Sequence, residues 1–293
     1  PVLTNMAPVT KALLEQGGFK VDMQSMDWQT VVTRRTNKGP VSQGGWNIFV
    51  TTSGGVGSAN PVLHTWIGAA CDKGLFGWPC DAEITRLRDA FATYLRYPSP
   101  RLLLGLLVVA LVTRLAVGRW SWWDLGVVVI MVAAQPFVEW VIHTFILHFR
   151  PREVAGRSVD LHLAKKHRVH HLDPKQIDAV FIPMRSLVIG LPILAFLVLV
   201  IFPLPIALTI LLTEAAIGNL YEWTHFYVHS GCKPRNRYAA YIERAHRLHH
   251  YRNENYWMGV TNHLGDHVLG TFPNKDDVPV SPTAKTLGIS ASD

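Results

Sequence analysis

The chain has 293 residues, 49% of them hydrophobic, and this length has room for two domains. Its formal charge of +7, with histidine neutral, suits contact with either an anionic lipid surface or nucleic acid. The basic residues flank apolar runs instead of gathering on one soluble face, which favours a membrane and argues against nucleic acid as a partner. The three cysteines, Cys71, Cys80 and Cys232, show neither metal-site nor redox spacing.

Residues 1–85 have the composition of a soluble, partial α/β fragment. Alternating apolar residues predict strands at 19–24 and 45–51. Asp27 is placed to cap a helix over residues 28–35. The glycine-rich stretch at 54–57 lacks the order and spacing of a phosphate-binding loop, which argues against nucleotide binding.

The runs 18–35, 44–49 and 75–81 resemble the late portion of periplasmic oligopeptide-type solute-binding proteins of ABC transporters. The resemblance covers about residues 1–90, too little to build a ligand cleft between two lobes. It implies a Cys71–Cys80 disulfide in an exported relative. Because the chain begins at Pro1 without a basic-then-apolar export signal, we expect a truncated or unusual product with two unpaired thiols here.

A junction over residues 86–101 predicts an amphipathic surface helix that ends at Pro98 and Pro100. Four apolar segments follow, each able to enter a membrane when its flanking residues are included. They predict a four-helix membrane domain over residues 102–275 and a flexible tail over 276–293. The segments are 102–117, 122–142, 187–202 and 204–221.

The basic residues predict the orientation of these helices. Lysine and arginine are concentrated in the 149–185 connection and after residue 229, whereas the opposite loops are short and nearly uncharged. The positive-inside rule places the basic segments in the cytoplasm. Both termini are then cytoplasmic, and the expected location is a bacterial inner membrane.

Ten of the fourteen histidines fall into four tight clusters near the ends of the apolar segments. Residues three and four apart on a helix share a face, so H-x-x-H-H and H-x-x-x-H point several ring nitrogens one way. The H-x-x-x-x-H spacing exceeds one α-helical turn and does not by itself direct its two rings at one ion. The clusters are His143 and His148; His167, His170 and His171; His225 and His229; and His246, His249 and His250.

Imidazole is a common metal ligand, and this pattern indicates a site for two metal ions. Separate, differently spaced clusters argue against low complexity, and a lipid-facing surface would use lysine and arginine. A structural zinc site needs about four ligands and usually includes cysteine. Ten histidines exceed the coordination of one ion and fit two, while zinc, copper, iron and nickel all stay open.

Glutamates precede two of the clusters. Glu139 lies four residues before His143, and Glu222 lies three before His225. Each is placed either to accept the second N–H of a ligand histidine or to pair with a nearby arginine. Outside the clusters, His263 and His267 are expected at the surface.

The runs 137–148, 167–171, 221–229 and 245–256 resemble the fatty acid hydroxylase / sterol desaturase superfamily over about residues 90–275. The first and third clusters look most like those of fatty acid 2-hydroxylases. The resemblance implies a mainly α fold, with four membrane helices and a cytoplasmic histidine-rich helical cap. It also implies that all ten clustered histidines bind two iron ions, with zinc as the substitute in purified protein.

The resemblance implies O2-dependent hydroxylation or desaturation of an unactivated lipid C–H bond, above all in a fatty acyl chain. Sterol and carotenoid substrates stay open. The chain carries no fused cytochrome b5 domain, so the electron donor is expected to be a separate cytochrome b5-, ferredoxin- or reductase-type protein. Alternatives from other classes are a transporter solute-binding component based on residues 1–90, a two-zinc hydrolase and a metal-storage protein.

Overall fold

The computed structural model describes residues 2–55, 64, 66 and 68–289. The chain forms two compact units, Pro1–Asp89 and Ala90–Asp293. The first unit contains helices α1 (Val2–Gln16) and α2 (Trp28–Arg34), followed by short 3₁₀ turns at Val41–Gln43 and Cys71–Lys73.

The helix predicted over residues 28–35 is confirmed as α2. Asp27 caps it by accepting a hydrogen bond from the Thr30 N–H at 3.0 Å. This bond satisfies one of the N–H groups that have no partner inside the first turn. A local interaction between close neighbours in sequence is therefore enough to start this helix.

The α/β character predicted for the first unit is wrong for the residues that the structure describes. Segments 19–24 and 45–51 form no strand. In the described part of this unit, strand-like pairing is limited to an isolated bridge between Ala70 and Cys80. A strand needs a neighbour to pair its backbone N–H and C=O groups, and no described segment supplies one. Alternating apolar residues were thus insufficient without a pairing partner.

The expectation of two unpaired thiols is also wrong. Cys71 and Cys80 form a disulfide, with their Cα atoms 4.1 Å apart. The bridge between Ala70 and Cys80 holds the two segments side by side, and the Cys71 N–H donates to the Pro79 carbonyl at 3.0 Å. The backbone pairing therefore places the two sulfur atoms within bonding reach.

The second unit is helical apart from one small hairpin. Its strands pair antiparallel, with Glu153 opposite Ser158. From the junction onward the elements are α3 (Ala82–Tyr94), α4 (Pro98–Val117), α5 (Trp122–Val141) continued by a π-helical turn (Ile142–Leu147), β1 (Arg152–Val154), β2 (Arg157–Val159), α6 (His162–Leu172), α7 (Ile177–Val180), α8 (Met184–Ile201), α9 (Leu204–His229), α10 (Arg237–Tyr251), α11 (Leu264–Leu269) and a 3₁₀ turn (Lys275–Asp277).

Four helices are long and apolar enough to cross a membrane, as the sequence predicted. They extend beyond the predicted apolar segments because helical hydrogen bonding continues into the polar flanks. Pro98, expected to end a helix, instead occupies the first position of α4, where its missing N–H costs no hydrogen bond. The candidate spans are Pro98–Val117, Trp122–Leu147, Ile177–Ile201 and Leu204–His229.

A buried ionic contact joins three of these helices. The Arg114 side chain is fully buried and donates to an Asp124 oxygen at 2.7 Å and to the Thr209 hydroxyl at 2.7 Å. The Thr209 hydroxyl in turn donates to Asp124 at 2.5 Å. The guanidinium also lies 3.7 Å from the centre of the Trp120 ring. The positive charge of Arg114 is therefore balanced by Asp124. The hydrogen bonds of Arg114 connect α4 to α5 and α9.

We expect the Asp124→Ala substitution to destabilise the protein by about 3–5 kcal/mol, because it leaves a buried arginine without its counter-charge. Thermal unfolding in detergent micelles measures the effect. The exposed Arg119→Ala substitution is the control and should leave the melting temperature nearly unchanged. Equal losses in both variants would contradict a role for the buried pair.

Candidate metal centre

The ten clustered histidines form two groups of five, and within each group the potential ligand nitrogens all lie within 4.8 Å of one another. The ring centroids of His171 and His250 are 4.2 Å apart, so the two groups adjoin. The first cluster contains His143, His148, His167, His171 and His249, and the second contains His170, His225, His229, His246 and His250. The structure therefore brings together every histidine that the four sequence clusters contain.

The two H-x-x-H-H motifs each serve both clusters. On α6, His167 and His171 belong to the first cluster and His170 to the second. On α10, His249 belongs to the first cluster, and His246 and His250 belong to the second. In H-x-x-H-H the first and last histidines are four residues apart and lie nearly in line along the helix. The middle histidine, three residues after the first, points in a direction rotated around the helix axis. Each of these helices thus contributes to both groups.

The two rings of H-x-x-x-x-H share the first cluster because the helix widens between them. The His148 N–H donates to the His143 carbonyl at 3.1 Å, an i to i+5 bond within the π-helical turn Ile142–Leu147. Such a turn brings residues five apart close together, and the ring centroids lie 4.9 Å apart. Sequence reasoning based on the α-helical period had no signal for this arrangement.

Backbone carbonyls fix the protonation of four rings. A carbonyl only accepts hydrogen bonds, so the ring nitrogen that contacts it carries the proton. The other nitrogen of a neutral ring then has a bare lone pair. The Nδ1 bonds are His143 to Met258 (2.5 Å), His171 to Ala284 (2.9 Å), His225 to Val180 (2.8 Å) and His249 to Tyr256 (2.8 Å).

The bare nitrogens of the first cluster face one another. The Nε2 atoms of His171 and His249 lie 3.2 Å apart, and neither has a proton to share because both rings donate from Nδ1. His167 Nε2 lies 3.1 Å from His171 Nε2. Two lone pairs at this distance repel, whereas a cation between them would be bound by both. The first cluster therefore fits a metal ion.

In the second cluster the ring nitrogens also converge. His246 Nε2 lies 2.9 Å from His229 Nε2 and 3.0 Å from His250 Nε2, and His225 Nε2 lies 3.1 Å from His170 Nε2. Nitrogens on opposite sides of an ion bound at about 2.1 Å are roughly 4.2 Å apart, close to the spread within each cluster. Both clusters can hold a metal ion, and an imidazole donor set suits zinc, copper, iron and nickel.

Burial keeps the rings outside the membrane spans neutral. It lowers the pKa of His171 and of His249 to about 3. Burial, followed by repulsion from neighbouring histidines, holds the pKa well below its usual value in His148, His167, His170, His246 and His250. Neutral imidazole is the form that binds metals, so protons compete little with an ion near pH 7.

Two carboxylates hold the loop that supplies the Met258 and Tyr256 carbonyls. Four consecutive backbone N–H groups, from Met258 to Thr261, donate to Asp266 and Glu139. Both carboxylates are buried, so these bonds are shielded from water. The bonds are Met258 to Asp266 (2.8 Å), Gly259 to Asp266 (2.7 Å), Val260 to Glu139, and Thr261 to Glu139 (2.8 Å).

Glu222 supports the second cluster in the same way as Glu139 and Asp266 support the first, by accepting hydrogen bonds from a backbone segment that contacts a ring. It accepts hydrogen bonds from the Ser99 hydroxyl and from the Ile182 N–H, the latter at 3.2 Å. Ile182 lies two residues after Val180, whose carbonyl holds His225. Glu222 therefore anchors the segment that orients this ring.

The expectation that Glu139 and Glu222 accept a histidine N–H directly is wrong. Backbone carbonyls take the Nδ1 protons of His143 and His225. Neither glutamate pairs with an arginine in the described part of the chain. The two carboxylates contact the backbone segments that hold the rings, so their contact with the histidines is indirect.

The C-terminal stretch is part of the site, so the predicted flexible tail is wrong for residues 278–289. The Ala284 carbonyl binds His171, and Ala284 and Leu287 are buried. The Ser281 N–H donates to the Arg252 carbonyl at 2.7 Å. A segment without ligand-type side chains gives no sequence signal when its contribution is a backbone carbonyl. Residues 290–293 lie outside the described residues.

The expected surface position of His263 is also wrong. Its side chain is buried, and its Nδ1 contacts an Asp266 carboxylate oxygen at 2.8 Å. His267 is exposed, as expected, and its Nε2 contacts the Tyr241 hydroxyl at 2.9 Å. The aspartate that holds the metal-site loop is therefore itself fixed by a histidine outside the two clusters.

A family model described as fatty acid hydroxylase matches residues 128–271, which include all ten clustered histidines. The fatty acid 2-hydroxylase of Macaca fascicularis is 26% identical over 171 residues, which are 55% of this chain and 42% of that protein. The chain thus spans less than half the length of this curated relative. These similarities confirm the hydroxylase resemblance seen in the sequence.

A solved structure supports the fold. Full-length scs7p, in which only the hydroxylase domain is visible, aligns with a TM-score of 0.52 and 22% sequence identity. The alignment covers 62% of this chain and 68% of that chain. Together with the four long apolar helices, this match confirms the predicted mainly α membrane architecture.

A second similarity belongs to another class of protein. A probable peptide ABC transporter periplasmic-binding protein, y4tO of Sinorhizobium fredii, is 30% identical over 90 residues. These are 31% of this chain and 17% of that protein. The predicted partial resemblance to solute-binding proteins is therefore confirmed.

We expect Glu139→Ala to remove metal from the first cluster only, because the freed loop no longer holds the Met258 carbonyl against His143. Affinity should fall about 10- to 100-fold, as when other indirect supports of metal ligands are lost. Elemental mass spectrometry of purified protein measures the metal per chain. Glu139→Gln, which keeps an acceptor oxygen, should retain more metal.

Glu222→Ala is the matched comparison and should affect the second cluster. Adding His148→Ala to Glu139→Ala should cost no further metal, whereas adding His229→Ala should remove the remainder. If the two glutamate variants lost both ions together, general unfolding would explain the result and selective anchoring would be wrong.

Metal-free protein should lose thermal stability as the pH falls. The unfolded chain takes up protons near a histidine pKa of about 6.5, whereas the folded His171 and His249 take them up only near 3. Between a pH of about 6.5 and a pH of about 3, the unfolded chain therefore binds more protons than the folded protein, and lowering the pH favours unfolding. Melting temperatures of chelator-treated protein should drop between pH 7.5 and pH 5.5, and a constant value would contradict the buried neutral rings.

Proposed function

We propose that this chain, whose residues 128–271 belong to the fatty acid hydroxylase family, is a membrane-bound diiron oxygenase that hydroxylates a fatty acyl chain. One observation carries the proposal: two adjoining clusters of five histidines, four of them buried in each cluster, with ring nitrogens that converge. This arrangement lies at the ends of four helices suited to a membrane. A lipid in the surrounding bilayer is therefore a substrate within reach.

Two bound iron ions would supply the redox chemistry needed at an unactivated C–H bond, which no side chain can perform. Lipid R–H, O2, two electrons and two protons give R–OH and water. A separate cytochrome b5-, ferredoxin- or reductase-type carrier supplies the electrons. Because the Macaca fascicularis relative is named a 2-hydroxylase, we assign the reaction to the carbon next to the acyl carbonyl.

The chain itself positions and shields the reacting groups. Carbonyls of the 256–258 loop and of Ala284 orient three rings of the first cluster, and the Val180 carbonyl orients His225 in the second. The histidines are buried or nearly so, which excludes bulk water from the centre. Exclusion of water also limits side reactions of reactive oxygen species.

The orientation proposed from charge places the centre in the cytoplasm. The basic connection between the second and third spans contains Lys165 and Lys166 on α6, the helix that carries three of the histidines. The positive-inside rule assigns that side to the cytoplasm, where soluble electron carriers operate. A bacterial inner membrane is the location that we propose.

Metal content and lipid products of detergent-purified protein test the function. We expect about two irons per chain and, in cells supplied with 18O2, fatty acids that have gained one labelled oxygen atom. The His170→Ala, His171→Ala double variant takes one histidine from each cluster and should lose both metal and product. His267→Ala, outside the clusters, is the control and should retain both.

The outcomes separate the alternatives. An oxygenated sterol or carotenoid would keep the reaction and change the substrate, and an alkene product would replace hydroxylation by desaturation. Two zinc ions with activity that needs neither O2 nor reductant would indicate a hydrolase. Exchangeable metal without any lipid product would indicate storage. Folded protein without metal would contradict the proposal.

A further inference from the structure

One exposed aromatic ring at the end of α10 contacts a histidine of the metal centre. In the described part of the chain, the clustered histidines contact the rings of two aromatic residues from outside the clusters, Tyr221 and Tyr251. Tyr221 lies within the fourth candidate span. Tyr251 is 48% exposed, and its ring centroid lies 6.3 Å from that of the fully buried His250. Tyr251 therefore connects the protein surface to the second cluster through a single ring-to-ring contact.

The backbone beside this ring is fixed by the C-terminal stretch. The Arg252 side chain donates to the Val278 carbonyl at 2.7 Å, and the Ser281 N–H donates to the Arg252 carbonyl at 2.7 Å. Arg252 directly follows Tyr251, so these bonds hold the last turn of α10 in place. The short distance from the surface ring to His250 is therefore built into the fold.

Three arginines share the exposed side of α10 with this ring. Arg237, Arg244 and Tyr251 are spaced seven residues apart, close to two helical turns, so they lie almost in line along the helix. Arg247, four residues before Tyr251, lies on the same side. All four residues are exposed. The helix thus surrounds its exposed ring with cations.

Little of this positive charge is neutralised by the protein. Glu243 is the one carboxylate on α10 and lies 3.5 Å from Arg247 Nη1. Arg237 and Arg244 make no ion pair with any residue that the structure describes. The buried side of the same helix carries His246, His249 and His250. One helix therefore presents positive charge to solvent on one side and metal-centre histidines on the other.

We propose that the exposed side of α10, formed by Arg237, Arg244, Arg247 and Tyr251, is the docking face for a one-electron carrier with an acidic surface. The inference rests on the proposed function and names the face that receives its electrons. Each docking passes one electron from the reduced carrier, which is thereby oxidised, by way of Tyr251 and His250 to the metal centre. Two such transfers supply the two electrons of the proposed hydroxylation.

Charge and distance both favour this partner. Complementary charge speeds the encounter and orients the carrier, and a small interface lets it leave after each transfer. An anionic membrane surface is also attracted to arginines. The contact between Tyr251 and His250 favours the redox protein, because electrons cross short gaps far faster than long ones. The β1–β2 hairpin has two exposed arginines, Arg152 and Arg157, but no aromatic residue, so it offers charge without such a contact.

Binding of a plant-type ferredoxin, a small acidic one-electron carrier, tests the docking face. The purified full chain is held in phosphatidylcholine nanodiscs. Arg244→Glu combined with Arg247→Glu should weaken ferredoxin binding about tenfold or more, because like charges then face the carrier. Arg152→Glu combined with Arg157→Glu makes the same change of charge on the hairpin and should leave the affinity nearly unchanged.

Anaerobic electron transfer tests the role of the ring. Stopped-flow absorbance follows the oxidation of reduced ferredoxin by iron-loaded protein. At saturating ferredoxin, Tyr251→Ala should slow this oxidation several-fold at unchanged iron content, because the gap to His250 is no longer bridged. Tyr251→Phe keeps the ring and removes the hydroxyl, so it should retain the native rate.

Three outcomes would overturn the proposal. Equal weakening of ferredoxin binding by the two arginine pairs would leave only a general effect of charge. A native rate of ferredoxin oxidation in Tyr251→Ala would remove the electron path. A dye attached to Arg244→Cys in phosphatidylglycerol nanodiscs, quenched by brominated lipid and not by iodide, would assign this side of α10 to the membrane surface.

Failure of the proposed function gives a different result. Ferredoxin binding and oxidation without any oxygenated lipid would refute the hydroxylase and leave the docking face. Oxygenated lipid formed with ferredoxin at the native rate in the Arg244→Glu, Arg247→Glu variant would refute the docking face and leave the proposed function standing.

Discussion

The Nε2 atoms of His171 and His249 lie 3.2 Å apart, in a buried region, without a proton between them. In the metal-free protein this contact is repulsive. A bound cation turns the same geometry into favourable ligation, so part of the metal-binding free energy becomes folding free energy. A metal ion bound in the first cluster would therefore stabilise the helices and loops that carry these histidines.

Such a centre is stable only if each ring has a fixed orientation. Backbone carbonyls fix the orientation of four rings by accepting hydrogen bonds from Nδ1. These carbonyls belong to segments that contain none of the ten clustered histidines. Buried carboxylates then satisfy the backbone N–H groups beside those carbonyls, which would otherwise lose hydrogen bonds to water without compensation. Glu139, Asp266 and Glu222 thus support the histidines through the backbone. This arrangement explains why buried acidic groups lie so close to the two histidine clusters without contacting the clustered rings.

The membrane helices also contain a buried charged group that needs a polar partner. Arg114 lies within an apolar helix and is matched by Asp124 and Thr209 from neighbouring helices. An unmatched charge there would be costly, so the contact specifies which helices pack together. At the other end, the histidines of α9 and of the π-helical turn are matched by ring nitrogens and carbonyls of the cap. Polar groups thus determine the packing at both ends of the helices.

The four membrane helices, the capped helix α2 and the set of ten histidines could be predicted from the amino-acid sequence, because these features follow from local periodicity and residue type. The grouping of the histidines into two clusters could not be predicted in this way, since the π-helical turn departs from the α-helical period that the prediction assumed. Nothing in the sequence indicated the carbonyl acceptors, because every residue has a carbonyl, and His143 and Met258 lie 115 residues apart. The strands expected near the N-terminus failed for the same reason: pairing needs a partner that only the tertiary structure can supply.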